Sequence, residues 1–94
     1  MSWEYIETSD ETHVRKERAK AREMKASQWW RNRVGEGVCY HCGQKFGKPA
    51  LTMDHLIPIS RGGRTTKKNV VVSCKDCNSR KKNLTVAELI LNNL

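Results

Sequence analysis

Two Cys-x-x-Cys pairs constrain this chain more than any other feature of its sequence. Cys39-Tyr-His-Cys42 and Cys74-Lys-Asp-Cys77 are separated by residues 43–73. Zinc takes four thiolates in a tetrahedron, and two residues between ligands let one tight turn present both sulfurs to the same ion. A redox pair would need only one such turn, in a thioredoxin-like βαβ setting that a basic chain of 94 residues does not supply. The quartet is therefore read as a structural zinc site. Four thiolates leave no open coordination position, so this Zn²⁺ is expected to hold the fold together and not to activate water. With four cysteines available, His41 is read as a turn residue and not as a substitute ligand.

Size makes such a staple necessary. A chain this short buries proportionally little surface, and its apolar fraction of 37% is thin support for a core. No window approaches the roughly eighteen consecutive apolar residues that cross a bilayer, and no basic stretch at the start precedes an apolar run. The expectation is one soluble, unsecreted, cytoplasmic domain, where thiols stay reduced and short-spaced cysteines bind metal. Eighteen Lys and Arg against ten Asp and Glu give a formal charge of +8. That points to a polyanion such as nucleic acid, although charge alone would also fit a membrane surface or plain solvation.

Read along the chain, residues 1–11 are a polar segment with Trp3, Tyr5 and Ile6 as its sizeable apolar groups. Thr12 to Arg33 contains no Gly or Pro and is rich in helix formers, which predicts one basic helix over about 12–34. Ala19, Ala26 and Trp30 could share a face of it, and Arg15, Lys16, Arg18, Lys20, Arg22 and Lys25 would lie outward. These cations suit a DNA backbone as well as they suit solvent, with Glu17 and Lys20 as a helix pair. Trp29 and Trp30 are read as anchors on the core. From Gly35 to Leu94 follow strand candidates at Leu51–Met53 and Val70–Ser73, with a basic loop between them. A short helix is expected from Lys75 or Asp76 to about Lys82. Thr85 and Glu88 form a capping-box pattern before a last apolar helix carrying Leu84, Val86, Leu89, Ile90, Leu91 and Leu94.

The spacer is longer than in a simple zinc ribbon, so it is expected to do a job of its own. It contains Asp54-His55, Pro58, Gly62-Gly63 and Asn69, and Asn78 directly follows the last cysteine, with Lys82 four positions on. This pattern resembles the HNH nuclease family over about Val38 to Leu84. The resemblance implies a small α+β, ββα-metal (His-Me finger) fold stapled by the four-cysteine zinc site, with flanking helices. It implies metal-dependent hydrolysis of DNA, with residues 35–94 as the nuclease domain. Adjacent strand residues point to opposite faces, so Asp54 and His55 can serve one site only where the strand bends or ends.

In that reading His55 is the general base, since imidazole titrates near neutral pH. Asp54 and Asn78 offer hard oxygens to a single catalytic Mg²⁺ or Mn²⁺. Asn69 is implied to hold the catalytic loop and not to bind metal. Arg61, Arg64, Lys67, Lys68, Arg80, Lys81 and Lys82 are read as phosphate contacts. Many family members carry histidine where Asn78 stands, and some carry another where Lys82 stands, so nitrogen-loving metals are disfavoured here. Cutting both strands would take two sites, hence a homodimer or a protein partner. Likeness to small phage-borne members suggests a setting such as genome packaging. The alternative function is a zinc-dependent DNA-binding module without chemistry, which would leave Asp54 beside His55 unexplained.

Overall fold

The computed structural model describes residues 10–81 together with Leu84, Thr85, Glu88, Ile90 and Leu91. Trp3, Tyr5, Ile6, Lys82, Val86, Leu89 and Leu94, all singled out from the sequence, lie outside the described residues. The first helix, α1, spans Glu11–Lys25 and is opened by Asp10, whose carboxylate accepts the His13 N–H at 2.8 Å. Capping by Asp satisfies one of the donors that a helix N-terminus leaves unpaired.

The single helix expected from Thr12 to Arg33 is in fact two. Ala26 ends α1, and a second helix, α2, spans Gln28–Glu36. Ser27 causes the break: its backbone is extended, its oxygen accepts the Trp30 N–H at 3.2 Å, and its hydroxyl donates to the Met24 carbonyl at 2.6 Å. Serine offers the backbone these local bonds as an alternative to helix continuation. The break also changes which residues are buried. On one straight helix Ala21 and Trp30 would point roughly 180° apart, yet both belong to the core, whereas Ala26 is exposed. Gly37 closes α2 at φ 73°, and a Cβ there would lie 3.0 Å from the Phe46 carbonyl oxygen.

Two strands follow, β1 (Leu51–His55) and β2 (Val70–Cys74), paired antiparallel from Leu51 opposite Cys74 to His55 opposite Val70. The helix α3 (Lys75–Lys81) starts directly from β2. All five residues of β2 are buried. Alternation along the strand sends Val70 and Val72 to a cluster with Met53, Ala21 and Trp30, flanked by Met24, Trp29, Val34 and Leu51. The helix α3 packs against both strands. The architecture is thus a small α+β fold, a ββα unit roofed by two helices. Trp30 is its largest buried aromatic residue among those described, and truncating such a group to Ala costs about 3–5 kcal/mol. Trp29 is half-buried, with the Arg33 guanidinium 5.2 Å and the Lys67 ammonium 5.4 Å from its ring centre. The Thr85–Glu88 capping box is formed, with Glu88 N–H donating to Thr85 Oγ1 at 3.2 Å and Thr85 N–H to Glu88 Oε1 at 3.3 Å.

Candidate active site

The sulfur atoms of Cys39, Cys42, Cys74 and Cys77 all lie within 4.8 Å of one another. Four thiolates on a zinc ion at ~2.3 Å would be about 3.8 Å apart, so the quartet needs little adjustment to hold one. Local hydrogen bonds explain why these turns form. Gly43, at φ 72°, turns the first knuckle and donates to the Cys39 carbonyl at 2.9 Å, while the Cys77 N–H points at Cys74 Sγ at 3.4 Å. Burial pushes the Cys39 thiol up, but the N–H groups of Cys42, Cys74 and His41 outweigh it and bring that thiol down to about 6. Burial and the neighbouring sulfurs push Cys77 up to about 12. A first thiolate opposes the next at this spacing, and a dication resolves that conflict.

At the end of β1, a pocket of about 220 Å³ is lined by Asp54, His55, Pro58, Asn78 and Lys81, with Val14 and Arg18 from α1. The strand ends at His55, so the two faces of its last two residues open into one cavity. Asn78, distant in sequence from the adjacent Asp54 and His55, is therefore their neighbour in the same space. The loop that closes it is held by Asn69. The Asn69 amide donates to the carbonyls of Ile57 at 3.1 Å and Arg64 at 2.8 Å, and its oxygen accepts the Ile57 N–H at 2.9 Å. Gly63 lies where a Cβ would be 1.7 Å from the Ile57 carbonyl oxygen, so the loop closes only with glycine there.

Asp54 is 5% exposed and has a partner on each oxygen: His41 Nε2 at 2.6 Å from Oδ2 and Lys81 Nζ at 3.2 Å from Oδ1. Neither partner was placed here by the sequence. His41 is more than a turn residue, because its imidazole faces the carboxylate and packs edge-on to Tyr40 at 5.2 Å. Lys81, expected on the surface as a phosphate contact, is instead 1% exposed and also donates to the His55 carbonyl at 2.8 Å. A cation so placed serves Asp54 and the backbone, not a solvent-facing strand of DNA. One signal could have found it: Lys81 lies four residues after Cys77 and three after Asn78, the spacing of one helix face.

The other predicted phosphate contacts divide. Arg64, Lys67, Lys68 and Arg80 are exposed, whereas Arg61 is paired with Glu88 at 2.9 Å, and Lys82 lies outside the described residues. Arg80 also reaches Cys77 Sγ at 3.7 Å. His55 is half-buried, and burial holds its imidazole below the ordinary 6.5, against the opposing pull of the Asp54 charge. Its Nε2 lies 2.9 Å from Thr65 Oγ1. Thr65 in turn is bound to Glu17 of α1, a buried residue that also pairs with Lys20 at 3.1 Å.

A family model described as HNH endonuclease matches residues 39–94, more than half of the chain. The chain belongs to the HNH endonuclease family. The match contains all four cysteines, both strands, α3 and the Asp54, His55, Asn69 and Asn78 set, while α1 and α2 precede it. The HNH chain is also 35% identical over 54 residues to the type IV methyl-directed restriction enzyme EcoKMcrA of Escherichia coli strain K12. That alignment covers 51% of this chain and 20% of the relative, so the HNH chain spans about a fifth of that protein's length. Among the described residues no helix is long and apolar enough to cross a membrane.

Proposed function

We propose that this chain hydrolyses DNA phosphodiester bonds with His55 as general base and one divalent cation, Mg²⁺ or Mn²⁺, held by Asp54 and Asn78. The observation that carries the reading is the meeting of Asp54, His55 and Asn78 in one pocket at the end of β1. The residues fit a hard cation: each Asp54 oxygen, with His41 on one and Lys81 on the other, keeps a second lone pair, and among the described residues the Asn78 amide has no hydrogen-bond partner. When bound, such an ion would offset charge on the phosphate and on the leaving oxygen.

His55 takes the proton from a water molecule as the water oxygen bonds to phosphorus and the bond to the 3′ oxygen breaks, and that oxygen leaves with the electron pair and takes a proton from solvent to become a hydroxyl. Its lowered pKa keeps it unprotonated, and able to act, at neutral pH. Asn69 supports this role through the Ile57–Arg64 loop. Arg18, on the wall of the pocket, and the exposed Arg64, Lys67, Lys68 and Arg80 are suited to the phosphate backbone. One such site acts on one strand at a time, so double-strand cleavage would take a second copy or a partner. The restriction activity named for the relative is of the same class, and its methyl direction is not carried over.

Supercoiled-plasmid nicking with Mg²⁺ or Mn²⁺ tests the reading. His55→Ala is expected to keep zinc and DNA binding while cleavage falls by about 10²–10⁴-fold. Equal nicking by variant and parent removes His55 as the base. DNA binding without nicking by the parent itself would leave the zinc-dependent binding module as the function.

A further inference from the structure

The match to the family begins at Cys39, yet α1 reaches the candidate base from outside it. Thr65 Oγ1 is 2.9 Å from His55 Nε2 and 2.9 Å from the main-chain oxygen of Glu17. The Thr65 N–H donates to Glu17 Oε1 at 2.6 Å, which fixes the threonine from a second direction. Both residues are buried, at 7% and 3% exposure, so water does not compete for these bonds.

A hydroxyl has one proton to donate and two lone pairs. The Glu17 carbonyl can only accept, and two oxygens 2.9 Å apart with no hydrogen between them would repel, so the Thr65 proton points at Glu17. Thr65 Oγ1 can then meet His55 only as an acceptor, which requires a hydrogen on Nε2. A neutral imidazole carries one N–H. Its Nδ1 is therefore the nitrogen with a free lone pair.

We infer that Thr65, clamped by Glu17 of α1, is a positioning residue that holds His55 in the Nε2–H tautomer and presents Nδ1 as the proton-accepting atom. This rests on His55 being the base, but the tautomer is a property of the protein without DNA or catalytic metal. Orienting partners of this kind are worth about 10–100-fold in activity.

The test has two parts. Nitrogen-15 NMR of the zinc-loaded protein at mildly alkaline pH reads which His55 nitrogen carries hydrogen. Nε2 is expected to be protonated in the parent and in Thr65→Ser, and Thr65→Val is expected to show loss of that preference. In the nicking assay, Thr65→Val should lower kcat about 10–100-fold with KM for DNA unchanged, and Thr65→Ser should restore it. A parent spectrum with hydrogen on Nδ1 overturns the inference, and it needs no variant to fold. An unchanged spectrum in Thr65→Val, or no rescue by serine, overturns it as well. Failure of the base assignment is distinct: His55→Ala would still nick, whatever the spectrum showed.

Discussion

Replacing Lys81 by Met should destabilise the protein far more than a lysine on a basic surface would suggest. The Lys81 ammonium is 1% exposed and bonds Asp54 at 3.2 Å and the His55 carbonyl at 2.8 Å. Methionine keeps most of the apolar stem but leaves a carboxylate that is 5% exposed without its cation. Breaking a buried pair from one side costs about 3–5 kcal/mol, because the remaining charge is stranded. His41 stays 2.6 Å from the other oxygen and offsets part of this, which places the loss near the lower end, about 3 kcal/mol. For a domain of this size that is about 12–24 °C in Tm. Adding Asp54→Asn removes the stranded charge, so the double variant should lose less stability than the two single losses added together, the coupling being about 0.5–3 kcal/mol. Urea and thermal unfolding of the zinc-loaded proteins measure both quantities. A loss below about 1 kcal/mol, the range of an exposed pair, would refute the buried-pair reasoning.

Cys74→Ala should abolish the cooperative fold, since zinc sites of this type contribute about 10–16 kcal/mol and small domains are stable by only about 5–15 kcal/mol. Zinc content and the circular-dichroism melting curve check this, and an unchanged curve at full zinc occupancy would defeat it. Acid stability should depend on Glu17, whose carboxyl is held below the ordinary 4.5 by the Thr65 N–H, against burial, with help from Lys20. A group with a depressed folded pKa stabilises above its unfolded value and loses that stabilisation as pH falls through the folded one. Glu17→Gln should therefore flatten the decline in stability below pH 4.5, and identical pH profiles for variant and parent would refute the assignment.

The sequence shows what short spacing and strand alternation dictate. The zinc quartet depends on two four-residue Cys-x-x-Cys turns, β1 and β2 on β-branched or apolar runs bounded by Pro, Gly and Asn, and α3 on the second knuckle that starts it. What it hides are contacts between distant segments. Nothing local marks His41 as a partner for Asp54 or Glu17 as a partner for Thr65, because each pair is brought together only by how α1 and the first knuckle pack on the ββα unit. The break at Ser27 was hidden for another reason: without Gly or Pro, the sole local sign is a serine three residues before Trp30. Helix propensity alone runs straight through it. Lys81 looks like any other lysine in a list of cations, and only its helical spacing from Cys77 and Asn78 marks it as inward.

These hidden contacts bear on how much of the chain the chemistry needs. The unit from Cys39 onward holds the zinc ligands and the Asp54, His55 and Asn78 set, and α3 packs on its sheet, but its core is completed by residues from outside it. Met53, Val70 and Val72 pack against Ala21 and Trp30, which lie on the two helices outside the matched region. The same two helices are joined by Ser27 at the angle that puts both residues on that face, and α1 then carries Glu17 to Thr65 and Val14 and Arg18 to the pocket wall. Covering the core and orienting the proposed base are thus tasks of one helix. A substitution that straightened the Ser27 break would rotate Trp30 away from Ala21, uncover β2, and move Glu17 relative to Thr65, linking the stability of the sheet to the geometry at His55.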